Sequence, residues 1–340
     1  MPEKKLGKQT VQLKKPPTIT AAASIVGPKE GKGPLARYFD QILDDELWGE
    51  KSWEMAEIKM VRETLAKASE KAGMPVGNLD YILAGDLLNQ CIAASFGLRE
   101  SGVPLFGLFG ACSTIGESMS LGAMLIDGGF AANVACITSS HFCSAERQFR
   151  FPLELGSQRP PTAQWTVTGS GCAILSESGT GPYITRVTTG RIVDMAIKDQ
   201  NNMGAAMAPA AVDTIYAHFE DTGLPHDYYD MVVTGDLGRI GREIADDLLS
   251  SNGISIGNIF NDCGIMIFDT KQDVHAGGSG CGCSATVFAG FLYDGLKSGK
   301  LNRILLVPTG ALLSPTSVQQ GETIPCIAHA LSIENNLVSS

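Results

Sequence analysis

The chain has 340 residues and a formal net charge of −10, with 44% hydrophobic and 18% charged residues. This composition is typical of a globular protein, and the length suffices for two domains that each bury a core. It excludes a disordered chain. The acidic balance also argues against nucleic-acid and anionic-membrane binders, which need clustered lysine and arginine.

Neither a secretory signal nor a membrane-spanning helix is expected. Residues 1–15 are polar and basic and lack the apolar centre of a signal peptide. The best apolar candidate, residues 119–137, is interrupted by Asp127, Gly128, Gly129 and Asn133. A membrane helix needs roughly 20 mostly apolar residues in succession, and no stretch of the sequence comes close.

Nine cysteines, an odd number, are scattered along the chain. This pattern favours reduced thiols in a cytosol-like compartment over a disulfide framework. Cys281 and Cys283 enclose one residue, whereas zinc pairs usually enclose two or more, and no second pair complements them. We therefore expect no metal site and no cofactor.

The second half of the chain repeats features of the first in the same order. Residues 79–87 and 229–237 each contain an acidic residue, a short apolar run and Gly-Asp-Leu, which predicts a buried strand followed by Asp86 or Asp236. Residues 110–113 precede a predicted helix, 114–126, and then a predicted strand, 133–138. In the second half, residues 281–284 precede a predicted helix, 285–296, and then a predicted strand, 303–308. Residues 328–333 also resemble residues 171–176, more weakly.

These echoes predict an α/β fold of two duplicated halves, residues 1–180 and 181–340, with helices between and outside their sheets. The turn-rich segment 179–182 marks the predicted boundary. Chance similarity of Gly- and Ala-rich segments is the alternative, but the common order favours duplication. Asp86 and Asp236 then lie at the carboxyl ends of strands, where α/β sheets place their ligands.

Cys112 is the sharpest chemical candidate, because it stands at the predicted start of a helix. Unpaired N–H groups and the helix dipole would stabilise a thiolate there, or bind an anion with no chemistry at all. A small buried thiol without a chemical role is an equally good interpretation.

A reactive cysteine needs a base, and five histidines are available. His141, His275 and His329 are placed where they could face a pocket, whereas His218 and His226 are expected at the surface. None of the five falls at the Gly-Asp-Leu position of the second half, so Cys112 has no evident partner.

A duplicated α/β chain with Ala111-Cys112-Ser113 at a helix start resembles the thiolase superfamily, and ketoacyl synthase III in particular. The resemblance implies a layered α-β-α-β-α core, a homodimer and, in the enzymes, a nucleophilic cysteine assisted by a histidine and an asparagine. Cys112 matches the nucleophile, but Asp236 stands where the histidine is expected and Ser279 is nearest to the asparagine. A carboxylate repels a developing oxyanion and raises the pKa of a thiol. We therefore expect the fold without the condensing activity, with an acyltransferase acting through Cys112 as the alternative.

Longer runs resemble the stage V sporulation protein AD family of spore-forming bacteria. They are residues 27–30, 51–57, 84–90, 109–114, 139–141, 145–150, 207–211 and 309–316. The resemblance implies sporulation and germination, with binding of dipicolinic acid (pyridine-2,6-dicarboxylate) during its uptake into the developing spore. It also implies a soluble protein, peripheral to the spore inner membrane, with membrane proteins of the same operon as partners. A scaffold that binds no small molecule is a third interpretation.

Dipicolinate is a flat dianion, so its site needs paired donors, and arginine matches a carboxylate best. We predict that Arg147 or Arg150 binds a carboxylate, although a salt bridge from Arg147 to Glu146 or Glu154 competes with that role. Calcium could bind at Asp86 and Asp236 if the chelate is the ligand, but capping of turns is favoured for both. The predicted ligand-binding set is Cys112, Ser113, Ser139, Ser140, His141, Arg147, Arg150, Asp236 and Ser279.

Overall fold

The computed structural model describes residues 2–149 and 159–337. Strands β1 to β16 span Thr10–Gln12, Thr18–Val26, Gln41–Ile42, Tyr81–Gly85, Leu105–Gly107, Asn133–Ser140, Trp165–Thr166, Gly169–Ser176, Tyr183–Thr188, Met231–Thr234, Phe260–Asp262, Gly278–Ser279, Arg303–Val307, Thr309–Ala311, Cys326–Ala328 and Ala330–Glu334. Helices α1 to α10 span Trp53–Lys71, Ile92–Leu98, Thr114–Asp127, Phe142–Phe149, Met203–Thr222, Gly238–Ser251, Cys263–Met266, Cys281–Val287, Tyr293–Lys297 and Pro315–Gln319. A π-helical turn, Phe288–Leu292, connects α8 directly to α9.

Ten of these strands form two sets of five with the same spatial order. The first set runs β5-β4-β6-β8-β2 and the second runs β11-β10-β13-β16-β9. In each set the second strand pairs in parallel with both of its neighbours, and the remaining pairs are antiparallel. The two sets meet where Thr18 of β2 pairs with Tyr183 of β9. The repeated topology confirms the predicted duplicated α/β fold.

Helices lie between the two sets of strands and on both outer faces. The central core joins Met119 of α3 and Val287 of α8 to Leu175 of the first set and Leu331 of the second. A second core packs α1 and α2 against the first set, and a third packs α5 and α6 against the second set. Both faces of the strands are therefore buried, which explains why they are short, nearly continuous apolar runs in the sequence.

Each echo in the sequence falls on a pair of equivalent elements. The Gly-Asp-Leu segments form β4 and β10 with the turns that follow, and the two helical echoes form α3 and α8. The strands after them are β6 and β13, and the weakest echo falls on β8 and β16. The second helix begins at Cys281, earlier than the predicted residue 285, because Gly280, with a φ of +101°, lets the chain turn sharply out of β12.

The predicted boundary between residues 180 and 181 falls in the loop that connects β8 to β9. The N-terminal strand β1 crosses to the second set and pairs with β9. The boundary itself stays a prediction. Across the part of the chain that the structure describes, no helix combines the length and the apolar character that a membrane crossing requires.

Candidate functional site

Cys112 lies in the turn that leads into α3. Ala111 takes a left-handed conformation with a φ of +50°, and the helix begins at Thr114. The N–H groups of Ser113 and Thr114 donate to the carbonyl oxygens of Gly110 and Ala111 at 3.1 and 3.2 Å. These two donors are therefore not the free anion site expected from the sequence, because the tight turn has already paired them.

Strand β14 packs directly against this turn. A Cβ atom built on Gly310 would lie 2.2 Å from the carbonyl oxygen of Gly110, so only glycine permits the approach. The residue before it, Thr309, is fully buried, and its hydroxyl group reaches the carboxyl group of Asp236. The close contact thus connects the cysteine turn to the second half of the chain.

Asp236 follows β10 and is 1% exposed. Its Oδ1 accepts a hydrogen bond from Thr309 Oγ1 at 2.6 Å, and its Oδ2 accepts from Ser279 Oγ at 2.8 Å and from the Gly280 N–H at 3.2 Å. The Ser279 hydroxyl oxygen also lies 3.9 Å from Cys112 Sγ. The structure therefore brings three of the predicted site residues, Cys112, Asp236 and Ser279, into one buried cluster.

This environment keeps the Cys112 thiol protonated. Burial raises the pKa of Cys112 well above its ordinary value, and the negative charge of Asp236 raises it further. Burial also raises the pKa of Asp236, although hydrogen bonds from Thr309, Ser279 and Cys112 favour its charged form. Because the thiolate is the nucleophile, the arrangement opposes nucleophilic chemistry at Cys112.

The three histidines that were candidates for a pocket are engaged elsewhere. His141 Nε2 lies 2.7 Å from the carbonyl oxygen of Glu46, and His275 Nδ1 lies 2.7 Å from that of Pro160. His329 Nδ1 accepts from the N–H of Gly190 at 3.3 Å, and burial lowers the pKa of His329 to about 4. None of these contacts involves Cys112.

His218 is fully buried, so its expected surface position is wrong. Its Nδ1 lies 2.8 Å from Thr188 Oγ1 and its Nε2 lies 2.7 Å from the Tyr229 hydroxyl. Burial lowers the pKa of His218 to about 3. His218 lies on the face of helix α5 that packs against the sheet.

The predicted ligand residues at the end of β6 are also buried and bonded within the protein. Ser139 Oγ donates to Glu57 Oε1 at 2.9 Å. Ser140 Oγ donates to the carbonyl oxygen of Val167 at 2.7 Å and accepts from the N–H of Gly282 at 2.9 Å. Ser139, Ser140 and His141 are all buried. Contact with a ligand, which remains a prediction for them, would require an exchange of hydrogen-bond partners.

Arg147 lies on α4 with half of its side chain exposed, and it forms an ion pair with Glu54 of α1. Its guanidinium group also lies 5.5 Å from the ring centroid of Trp53. The salt-bridge interpretation therefore applies to Arg147, with Glu54 as an acceptor that the sequence did not suggest. The other predicted cation, Arg150, lies outside the described residues.

A cleft of about 200 Å³ opens beside the buried cluster. Leu87 and Phe149 line it and also pack in the small apolar cluster that contains Cys112. Gln148 spans the cleft wall, because its Nε2 donates to the Leu87 carbonyl at 2.9 Å and its Oε1 accepts from the Asn89 N–H at 3.0 Å. The complete lining is Leu87, Leu88, Asn89, Gln90, Phe109, Gln148, Phe149, Leu313, Ser314 and Pro315.

Several residues of this site were missed from the sequence. Thr309 comes just after β13, and the equivalent strand β6 also ends in polar residues. The internal repeat was therefore a usable signal for Thr309. Gln148 and Phe149 stand next to Arg147 in the sequence, but their place in the cleft depends on the direction in which α4 packs. Glu57 carried no signal, because a single acidic residue in an amphipathic helix normally faces solvent.

The described residues contain no group of three His, Cys, Asp or Glu side chains that could hold a metal ion. Asp86 instead accepts from the N–H groups of Leu88 and Ala94, both at 2.8 Å. This is the turn-capping role that was favoured over calcium binding for Asp86.

Comparison with known proteins gives a family match over nearly the whole chain. The model of the family described as stage V sporulation protein AD matches residues 7–334. The stage V sporulation protein AD of Bacillus subtilis (strain 168) is 45% identical over 328 residues, which cover 96% of this chain and 97% of that protein.

Solved structures that resemble this chain include two 3-oxoacyl synthases and OleA. The 3-oxoacyl-[acyl-carrier-protein] synthase III of Aquifex aeolicus VF5 has a TM-score of 0.59 at 14% identity, over 94% of this chain and 99% of that one. The synthase III of Pseudomonas aeruginosa PAO1 has a TM-score of 0.59 at 12% identity, over 96% and 100%. Cerulenin-bound OleA of Xanthomonas campestris has a TM-score of 0.57 at 15% identity, over 94% and 96%. At these identities the likeness shows the thiolase-like fold alone.

Proposed function

The chain belongs to the stage V sporulation protein AD family, and from this membership we propose that it binds dipicolinic acid and supports its uptake into the developing spore. The observation that carries the proposal is the cleft of about 200 Å³ beside Cys112, which is lined by the rings of Phe109 and Phe149 and by the amide side chains of Asn89, Gln90 and Gln148. A flat aromatic diacid has matching chemistry, because its ring can stack on phenyl groups while its carboxylates accept hydrogen bonds from amides.

The charge of the ligand must also be balanced. Arg147 immediately precedes Gln148 on α4, and its side chain is half exposed. In the proposed complex the guanidinium group of Arg147 leaves Glu54 and binds a ligand carboxylate, assisted by Arg150. Breaking this exposed ion pair costs little free energy, since such pairs contribute about 0–1 kcal/mol to stability.

In this proposal Cys112 packs behind Leu87 and Phe149 of the cleft lining and has no catalytic role. Its thiol stays protonated beside Asp236, and the histidines lie elsewhere. Anion binding needs oriented donors and an apolar surface, neither of which requires a thiolate. The fold is retained and the condensing chemistry is lost, as often occurs when one scaffold serves several functions.

We also propose that the protein is a homodimer and acts as a peripheral component on the spore inner membrane, with membrane proteins of the same operon as partners. Support for the dimer comes from β5, which lies at the edge of the first set of strands. Leu105 and Phe106 of β5 are 40% and 48% exposed, and Phe96 and Phe109 are each 49% exposed. An unpaired edge strand with exposed apolar side chains is a surface that a second chain can cover.

Isothermal titration calorimetry with dipicolinate tests the proposed function. One arm contains a calcium chelator and the other contains equimolar calcium, which separates the free acid from its chelate as ligand. Benzene-1,3-dicarboxylate, which lacks the ring nitrogen, is the matched control ligand and should bind more weakly if the nitrogen or the bound calcium contributes. Absence of binding in both arms at millimolar dipicolinate would overturn the proposal and favour the scaffold.

A further inference from the structure

Four of the described residues that line the cleft have polar side chains, and two of these side chains are engaged within the protein. Gln148 donates through Nε2 to the Leu87 carbonyl oxygen and accepts through Oε1 from the Asn89 N–H. Ser314 Oγ accepts from the N–H of Ser317 at 3.1 Å and so caps helix α10. Gln148 therefore holds the loop after β4 against α4, and Ser314 holds the start of α10.

The other two polar residues of the lining are Asn89 and Gln90, which are both exposed. The Asn89 backbone N–H is bonded to Gln148, but its side chain is not. Within the part of the chain that the structure describes, the side-chain amides of Asn89 and Gln90 form no hydrogen bond with protein groups. Their N–H donors are therefore available to a ligand in the cleft.

Gln90 and the residue after it have an uncommon backbone conformation. Gln90 has a φ of +56° and Cys91 a φ of +51°, in the left-handed region that residues with a Cβ atom disfavour. The Asp86 carboxyl group fixes the turn on both sides, because it accepts from the N–H groups of Leu88 and Ala94, both at 2.8 Å. A strained turn that its surroundings hold in place is typical of functional positions.

Glycine would adopt this conformation without steric strain, and the chain uses glycine in similar places. Gly129 and Gly223, in the turns after α3 and α5, have φ of +77° and +65°. Cys91 retains a side chain for an internal reason, since its thiol donates to the Leu108 carbonyl oxygen at 3.3 Å. The Gln90 side chain has no such hydrogen bond within the described residues. A glutamine at this strained, exposed position therefore points to a partner outside the protein.

We propose that Gln90, with Asn89 beside it, donates to the second carboxylate of an aromatic diacid and makes the cleft selective for diacids over monoacids. In this arrangement Arg147 binds the first carboxylate, and Gln148 keeps the turn attached to α4. A monoacid retains the arginine contact but loses the hydrogen bonds from the amides, so it binds more weakly. This inference rests on the proposed function and adds the side chains that set its ligand preference.

Calorimetry of the full chain with dipicolinate and with pyridine-2-carboxylate tests the inference, in the calcium condition under which the wild type binds dipicolinate. Gln90→Ala should lower dipicolinate affinity about tenfold, as loss of a hydrogen bond to a charged acceptor requires, and should change monoacid affinity less than about twofold. Gln90→Asn, which keeps an amide and tolerates the left-handed conformation, should recover part of the loss. Cys91→Ala is the matched control and should keep the wild-type ratio of affinities, since Cys91 shares the backbone conformation but does not line the cleft.

A ligand-free measurement separates the amide from the backbone. Gln90→Gly should unfold at a higher urea concentration than Gln90→Ala, because glycine takes the left-handed conformation without strain. Both variants should show the same reduced preference for the diacid. If the ratio of the two affinities is equal in wild type and Gln90→Ala, the inference is overturned while the proposed function stands. If the wild type binds neither acid, the proposed function fails and this inference fails with it.

Discussion

The carboxyl group of Asp236 lies beside the thiol of Cys112, and the Ser279 hydroxyl oxygen stands 2.8 Å from the first and 3.9 Å from the second. A negative group in this position stabilises a protonated thiol and destabilises a thiolate. The relationship explains how a chain with the fold of condensing enzymes retains a cysteine at the start of α3 without the environment that would activate it.

Cys112 should react slowly with alkylating agents, and removal of the neighbouring charge should increase its reactivity. Iodoacetamide at pH 8, followed by mass spectrometry, should leave Cys112 unlabelled in the wild type, and an acyl-CoA should give no acyl adduct. Asp236→Asn should increase the labelling rate by about tenfold, because removal of the neighbouring negative charge lowers the pKa of the Cys112 thiol. Cys136, buried in β6 away from Asp236, is the internal control. A trapped acyl adduct on wild-type Cys112 would restore the enzyme interpretation.

Arg147→Ala should weaken dipicolinate binding by about tenfold or more, because a hydrogen bond between charged groups contributes about 1.5–3 kcal/mol. Glu54→Gln is the control, since it releases Arg147 from its ion pair and should leave affinity unchanged or higher. Both variants should change the free energy of unfolding by less than about 1 kcal/mol. Unchanged affinity in Arg147→Ala would remove this residue from the site.

Phe109→Leu should lower dipicolinate affinity by about fivefold, because it removes a stacking ring worth about 0.5–1.5 kcal/mol while retaining an apolar side chain. Phe130→Leu is the control, since Phe130 is 72% exposed and does not line the cleft. Calorimetry measures both. Equal affinities for the two variants would place the ligand elsewhere.

Glu30 should make the protein less stable as the pH rises. Burial raises its pKa from 4.5 to about 8, so the folded state binds the proton more tightly than the unfolded chain does. Its contribution to stability is therefore fully present below pH 4.5 and is lost progressively as the pH approaches 8, at up to about 1.4 kcal/mol per pH unit. Glu30→Gln should gain stability relative to the wild type between pH 6 and pH 9 in urea denaturation. The exposed Glu177→Gln should show no such gain, and a parallel pH dependence in all three proteins would contradict the prediction.

Phe106→Arg should convert the proposed dimer to a monomer, because a charge on the exposed side of β5 opposes its burial against a second chain. Analytical ultracentrifugation measures the mass, and circular dichroism establishes that the variant is folded. Phe130→Arg places the same charge on another exposed phenylalanine and should leave the dimer intact. A wild-type monomer at micromolar concentration would remove the dimer proposal.

The sequence by itself determined the duplicated α/β fold and the family. Short apolar runs, glycine turns and Gly-Asp-Leu repeats are local patterns, so they can be recognised without knowledge of packing. It also placed Asp236 and Ser279 near Cys112 through that resemblance. Only the tertiary structure decided which partners the side chains have. Thr309 donates to Asp236 and Arg147 pairs with Glu54, while the buried carboxyl groups of Asp86 and Glu57 accept from Leu88 and Ser144. Burial and charge depend on contacts between residues far apart in the chain, so they determine the pKa values and the shape of the cleft only after the two halves have packed together.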